Sequence, residues 1–143
     1  MKIGELAQAA QCTVETIRYY EKESLLPEPA RTSGNYRDYS ELHLERLSFI
    51  RNCRALDMTH QEIRALLQLM DQPEDNCHSV NTLLDAHIEH VSIRIQELLK
   101  LEIQLKTLRQ QCQSEQAVQD CGIVQGLNNM EVSNTPERHT HLG

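Results

Sequence analysis

Three features of the sequence predict a mainly α fold: an N-terminal winged helix-turn-helix, then a long coiled-coil dimerisation helix, then a C-terminal loop that carries cysteines. The first is composition, since one Phe, no Trp and four Tyr leave few large aromatics for a core, while Leu, Ile, Glu, Gln and Arg are abundant and favour helix. The second is a pair of short apolar-periodic segments across a tight turn near the N-terminus. The third is a seven-residue apolar repeat sustained from Leu84 to Cys112.

Taken in order, Ile3 to Ala9 reads as a helix with Ile3, Leu6 and Ala7 on one face. Ala10-Gln11-Cys12 turns, and Thr13 is placed to N-cap a helix from Val14 to Lys22. Two short helices joined in this way form a helix-turn-helix. Leu25-Leu26-Pro27-Glu28-Pro29 closes that unit, and Arg31 to Tyr39 sets the turn signal Gly34-Asn35 between flanks suited to short strands, a small wing. Ser40 caps a helix to about Ala55, and Thr59-His60-Gln61-Glu62 has the capping-box pattern before a helix that Asp71-Gln72-Pro73 stops. From about Ser79 to Gln113 one helix carries Leu84, Val91, Leu98, Leu105 and Cys112 on a seam, joined by Ile88, Ile95, Leu101 and Leu108. Such a stripe either packs on the N-terminal domain or pairs with a second copy, and its length favours a homodimer. Gln113 to Asp120 reads as a polar loop, Ile123 to Leu127 as one helical turn, and Asn128 to Gly143 as a flexible tail. The expected division is therefore 1–75, 76–113, 114–127 and 128–143.

A chain of 143 residues and 16.5 kDa holds one modest core or a small domain plus an extended helix. Met1 to Leu6 has no apolar run of signal-peptide length, and no later stretch is apolar enough to span a bilayer, so a cytoplasmic protein without a membrane partner is expected. The net charge of −7 counts against a generic nucleic-acid binder. Residues 1–54 hold eight basic and eight acidic side chains, so any DNA surface must come from where Arg18, Arg31, Arg37, Arg51 and Arg54 sit. Five irregularly spaced cysteines do not make a disulfide framework and leave packing, redox or metal roles.

Cys77 precedes the long helix and Cys112 ends it, which at ~1.5 Å per residue separates them by on the order of 50 Å within one chain. If two such helices pair antiparallel, Cys77 of one subunit meets Cys112 and Cys121 of its partner. Three thiolates then converge on a soft or borderline cation, and binding would order the loop. The alternative is that Cys112 is a seam residue and the other two are incidental, since free Cys behaves as a small hydrophobe. Cys12 and Cys53 read as packing residues. His87 and His90 fall at i and i+3 on one helical surface, and with His139 and His141 of the tail they could form a second, imidazole-based site; isolated surface histidines are also common.

Ile3-Gly4-Glu5-Leu6-Ala7, Val14-Glu15-Thr16-Ile17-Arg18-Tyr19-Tyr20-Glu21, and Gly34-Asn35-Tyr36-Arg37 with Tyr39 resemble the MerR family of transcription regulators. The resemblance covers Met1 to about Leu127. It implies a dimer on double-stranded promoter DNA that distorts the DNA when metal is bound, realigning the promoter for RNA polymerase. On that reading Thr13, Glu15, Thr16 and Arg18 enter the major groove, and Tyr19, Tyr36 and Arg37 contact backbone. It also implies that Cys77, Cys112 and Cys121 bind the metal, which makes the C-terminal segment a metal-binding loop and the long helices an antiparallel coiled coil. The pair Cys77-His78 with His87, His90 and a histidine-bearing tail is most similar to the cadmium/lead regulators of the CadR and PbrR types. Cd(II) or Pb(II) is the expected effector, with Zn(II) or Hg(II) as alternatives.

No His-Glu-x-x-His or comparable pattern supplies a zinc enzyme, and no enzymatic activity is expected. A metal-buffering protein without DNA binding could use the same thiols, but it would leave Val14 to Glu21 and the wing unexplained.

Overall fold

The computed structural model describes residues 1–72 and 76–131. Its elements are α1 (Ile3–Ala10), α2 (Val14–Lys22), β1 (Ala30–Arg31), β2 (Arg37–Asp38), α3 (Glu41–Ala55), α4 (His60–Met70), α5 (His78–Arg109), a 3₁₀ turn (Val118–Asp120) and α6 (Gly122–Asn128). The chain divides into two compact units, Met1–Leu83 and Leu84–Gly143, with α5 beginning in the first and continuing through the second.

The first unit is built on helices that stop in the same way. At the ends of α1, α2 and α3 a residue one or two positions beyond the helix, Gln11, Ser24 or Asp57, takes a left-handed conformation (φ 56°, 60° and 60°). The following N–H reaches back five residues: Cys12 to the Ala7 carbonyl at 3.0 Å, Leu25 to Tyr20 at 2.9 Å, and Met58 to Cys53 at 3.1 Å. This is the Schellman stop, which places an apolar residue directly after the left-handed one. Leu25 and Met58 are buried there, and Cys12 packs on the same core. The core itself is centred on Leu6, Ile17, Leu25, Ile50 and Ile63, all essentially inaccessible. Cys53 is part of it.

The wing is a two-stranded antiparallel ribbon with Ala30 opposite Asp38 and Arg31 opposite Arg37. Its turn is closed by Asn35 N–H donating to the Thr32 carbonyl at 2.9 Å, and the left-handed residue is Asn35 (φ 66°). Gly34 answers a different need, because a Cβ there would lie 3.2 Å from the Tyr36 ring. Two further caps follow the sequence closely. Thr59 and Glu62 form the reciprocal capping box, with Thr59 N–H to Glu62 Oε1 at 2.9 Å and Glu62 N–H to Thr59 Oγ1 at 3.1 Å. At α3 the third helical residue is His43, not Glu or Gln. Its Nδ1 accepts the Ser40 N–H at 3.1 Å, and its Nε2 meets the Pro27 carbonyl at 3.1 Å. These partners require the neutral tautomer with the proton on Nε2.

In α5 the Asn76 side chain accepts the His78 N–H at 2.9 Å, so the helix starts one residue earlier than expected. It ends at Arg109, four residues short of Gln113. The seam residues Leu84, Ile88, Ile95, Leu98, Leu101 and Leu105 are each 42–57% exposed in the single chain. No described helix is long and apolar enough to cross a membrane.

Candidate DNA interface and metal centre

The Thr13 side chain caps α2 by accepting the Thr16 N–H at 3.1 Å, and its hydroxyl also bonds that of Thr16 at 2.8 Å. With Ile17 pointing into the core, the outer face of α2 presents Glu15, Arg18 and Tyr19 to solvent. Tyr36 at the wing is 75% exposed. A surface cavity of about 800 Å³ between α1, α2 and the wing is lined by Lys2, Arg18, Lys22, Arg31 and Arg37, facing the carboxylates of Glu21 and Glu28. Charge that cancels along residues 1–54 is thus sorted in space, and a cationic patch results.

Of the five arginines singled out in the sequence, only three belong to this patch. Arg51 donates to the Ala10 carbonyl at 3.4 Å and to Gln11 Oε1 at 3.3 Å, and Arg54 donates to the Met58 carbonyl at 2.6 Å. Both tie down helix ends. Lys2 and Lys22, which the patch includes, carried no local signal that would have picked them out.

Two hydrogen bonds to Glu21 organise the patch. Glu21 accepts from Arg37 Nη1 at 3.1 Å through one carboxylate oxygen and from the Tyr39 hydroxyl, in a short hydrogen bond, through the other. The hydrogen bond that Arg37 donates to Tyr39 and the Glu21 charge both raise the Arg37 pKa, while burial and its bond to Glu21 raise that of Tyr39. Tyr19 Oη lies 3.3 Å from His60 Nδ1, and the Tyr20 ring stands edge-on to the same imidazole at 6.0 Å. Burial, then the Arg54 charge, lowers the His60 pKa.

At the far end of α5, Arg109 Nη1 donates to the Cys112 carbonyl at 2.9 Å and Gln113 Nε2 to the Gln110 carbonyl at 2.7 Å. The chain then turns back through the 3₁₀ segment to Cys121, the N-cap of α6. Close approach explains the glycines that follow. A Cβ on Gly122 would lie 2.2 Å from the Gln111 carbonyl oxygen, and one on Gly126 would lie 2.4 Å from Gln111 Oε1 and 3.2 Å from Leu108 Cδ1. Glycine at both positions lets α6 seat against the end of α5, bringing Cys121 to Cys112. Cys112 Sγ donates to the Ser114 carbonyl at 3.5 Å; the neighbouring Cys121 raises the pKa of Cys112, whereas backbone N–H groups of Val124 and Ile123 lower that of Cys121. Both are half-buried and line one cavity of about 570 Å³. Two adjacent sulfur donors, one favouring the thiolate, suit a soft or borderline cation.

Cys77 is exposed, in the first unit, immediately before α5. His87 is buried and His90 exposed, and ligand nitrogens of the two imidazoles lie within 4.8 Å of each other. His139 and His141 lie outside the described residues.

Comparison with known proteins places these features. Residues 1–70 match the family described as MerR HTH family regulatory protein, and residues 44–108 that described as MerR, DNA binding. The HTH-type transcriptional regulator ZntR homolog of Haemophilus influenzae is 54% identical over 110 residues, 77% of this chain and 82% of that protein. Among solved structures, the transcription regulator PbrR691 from Ralstonia metallidurans CH34 in complex with lead(II) has a TM-score of 0.80 and 54% identity, covering 89% of this chain and 98% of that one. The dual function transcriptional regulator MerR from Bacillus megaterium MB1 in complex with mercury(II) has a TM-score of 0.68 and 31% identity, covering 90% and 99%.

Proposed function

The chain belongs to the MerR family and is a metal-responsive transcriptional regulator, not an enzyme; from that premise we propose that it acts as a homodimer on promoter DNA, with lead(II) or cadmium(II) as effector. The observation that carries the metal reading is that Cys112 and Cys121 line one cavity in the loop after α5. These two thiols hold the ion together with the partner's Cys77. The exposed seam of α5 supports the pairing of two copies, and an antiparallel arrangement brings the start of one helix to the end of the other. Likeness to the lead-bound regulator supports the choice of metal.

Without metal the dimer holds the promoter inactive. With metal, ordering of the loop and of α5 favours the conformation that bends and untwists the DNA, so that RNA polymerase can use it. Such deformation costs several kcal/mol, roughly 1–6 by elastic estimates, and metal binding must favour the distorting conformation by a comparable amount. Thr13, Glu15, Thr16 and Arg18 read the major groove, and Tyr19, Tyr36 and Arg37 hold the backbone.

Cadmium titration of the fully reduced protein, followed by ultraviolet thiolate-to-metal charge transfer, tests the site. Wild type should saturate with a strong band that Cys77→Ser weakens; an identical titration of Cys77→Ser removes the cross-subunit site. A second reading, zinc(II) or mercury(II) as effector, draws on the ZntR homolog and the mercury-bound regulator, and competition among the four metals for the same band decides between them. A second site using His87, His90, His139 and His141 predicts fewer bound ions per subunit when His87 and His90 are replaced.

A further inference from the structure

Glu21 stands where a carboxylate should be a handicap. It lies in the last turn of α2, against the helix dipole, and in a patch that holds five cationic side chains. Yet its side chain is only 13% exposed, and each oxygen has its own partner on the wing. Arg37 and Tyr39 are two residues apart on an extended segment, so both point to the same side. Tyr39 is fixed independently: it is 2% exposed, its N–H donates to the Met1 carbonyl at 2.8 Å, and its ring stands edge-on to His43 at 5.3 Å. Arg37, by contrast, keeps 46% of its side chain exposed.

We propose that Glu21 is the positioning residue of the DNA interface, locking the wing to α2 through Tyr39 and aiming the Arg37 guanidinium outward toward the DNA backbone. This rests on the reading of the α2 and wing face as the DNA surface. Glu21 gives up attraction for phosphate by its charge and returns more by holding a planar donor in register, since a guanidinium fixed by one carboxylate contact keeps its remaining N–H groups for a second acceptor. Glu28, the other carboxylate of the patch, serves as the natural comparator, because it contributes the same charge without that pair of contacts.

The test measures affinity for a duplex selected by the wild-type protein from a randomised pool, as a function of salt. Charge alone makes Glu21→Gln and Glu28→Gln both bind more tightly. The positioning role makes them diverge: Glu28→Gln tightens binding a few-fold, roughly as removal of one negative charge allows, whereas Glu21→Gln weakens it about tenfold and lowers the salt slope by about one. In an Arg37→Ala background Glu21→Gln should have little further effect. Equal tightening by the two variants overturns the proposal. Should Glu21→Gln fail the thermal-unfolding check, Tyr39→Phe decides, since it keeps the buried ring and removes one arm; unchanged affinity and slope there also overturn it. If Arg18→Ala and Arg37→Ala leave DNA binding untouched, the interface reading itself fails, a result distinct from either outcome for Glu21.

Discussion

In the N-terminal unit the groups that matter are already engaged with one another. Glu21 holds Arg37 and Tyr39, His43 bridges Ser40 and Pro27, three helix ends are closed by the same backbone motif, and the apolar side chains share one core. In the C-terminal unit the corresponding groups are left open. Cys112 and Cys121 have each other, and the α5 seam remains about half exposed. A surface that must fit a stiff duplex gains from being organised in advance. A sensor gains from being incomplete, because the binding energy of its ligand can then be coupled to ordering.

The contrast can be broken at the core first. Ile63→Ala removes a side chain with no exposure and should cost about 2–5 kcal/mol in urea unfolding, whereas Leu98→Ala, 43% exposed, should cost far less in dilute monomer and act chiefly on dimer dissociation. Similar losses for the two in dilute protein would mean that the seam is already satisfied within one chain. Gly122→Ala sharpens the other side. Its Cβ meets the Gln111 carbonyl, so α6 must shift and Cys121 with it; cadmium affinity should fall about 10- to 100-fold, as for other supports of a metal ligand, while the N-terminal unit melts as before. Arg37→Ala should lower the slope of log affinity against log salt by about one, and an unaltered slope would remove its phosphate contact.

The smallest effect is in pH. His60 has a folded pKa below its ordinary 6.5, so well above 6.5 both folded and unfolded forms are neutral and the group contributes nothing to the pH slope. As pH falls through 6.5 the unfolded chain takes the proton first, and stability declines until the lower folded pKa is reached. His60→Gln should flatten that stretch of the stability curve; an unchanged curve would show that the imidazole keeps its ordinary affinity for protons.

What was legible in the sequence is local. Thr13, Ser40 and Thr59 mark helix starts because a cap needs partners within three residues, and the apolar repeat of α5 shows directly in its spacing. The parts that escaped depend on distant pairings. Glu21 meets residues 16 and 18 positions away, and nothing in its neighbourhood announces that. Lys2 joins Arg31 and Arg37 only once the wing folds back. Arg51 and Arg54 looked like candidates for phosphate because their charge is visible and their carbonyl partners are not. The end of α5 comes earlier than its sequence predicts for a similar reason: Arg109 and Gln113 turn their side chains to backbone carbonyls of the bend, while the helix-favouring composition continues past it. Cys112 and Cys121 could be named as a pair through the family resemblance, but the glycines that seat them together could not be inferred from composition.

The repeated left-handed stops have a practical side. Gln11, Ser24 and Asp57 hold a conformation that costs a residue with a Cβ about 1 kcal/mol. Gln11 is occupied with Arg51, but Ser24 and Asp57 offer an engineer two sites for glycine, where relief of strain exceeds the added freedom of the unfolded chain. A biosensor strain working in warm effluent could draw its thermal tolerance from those two corners, with the outer face of α2 and the thiol loop left as they are.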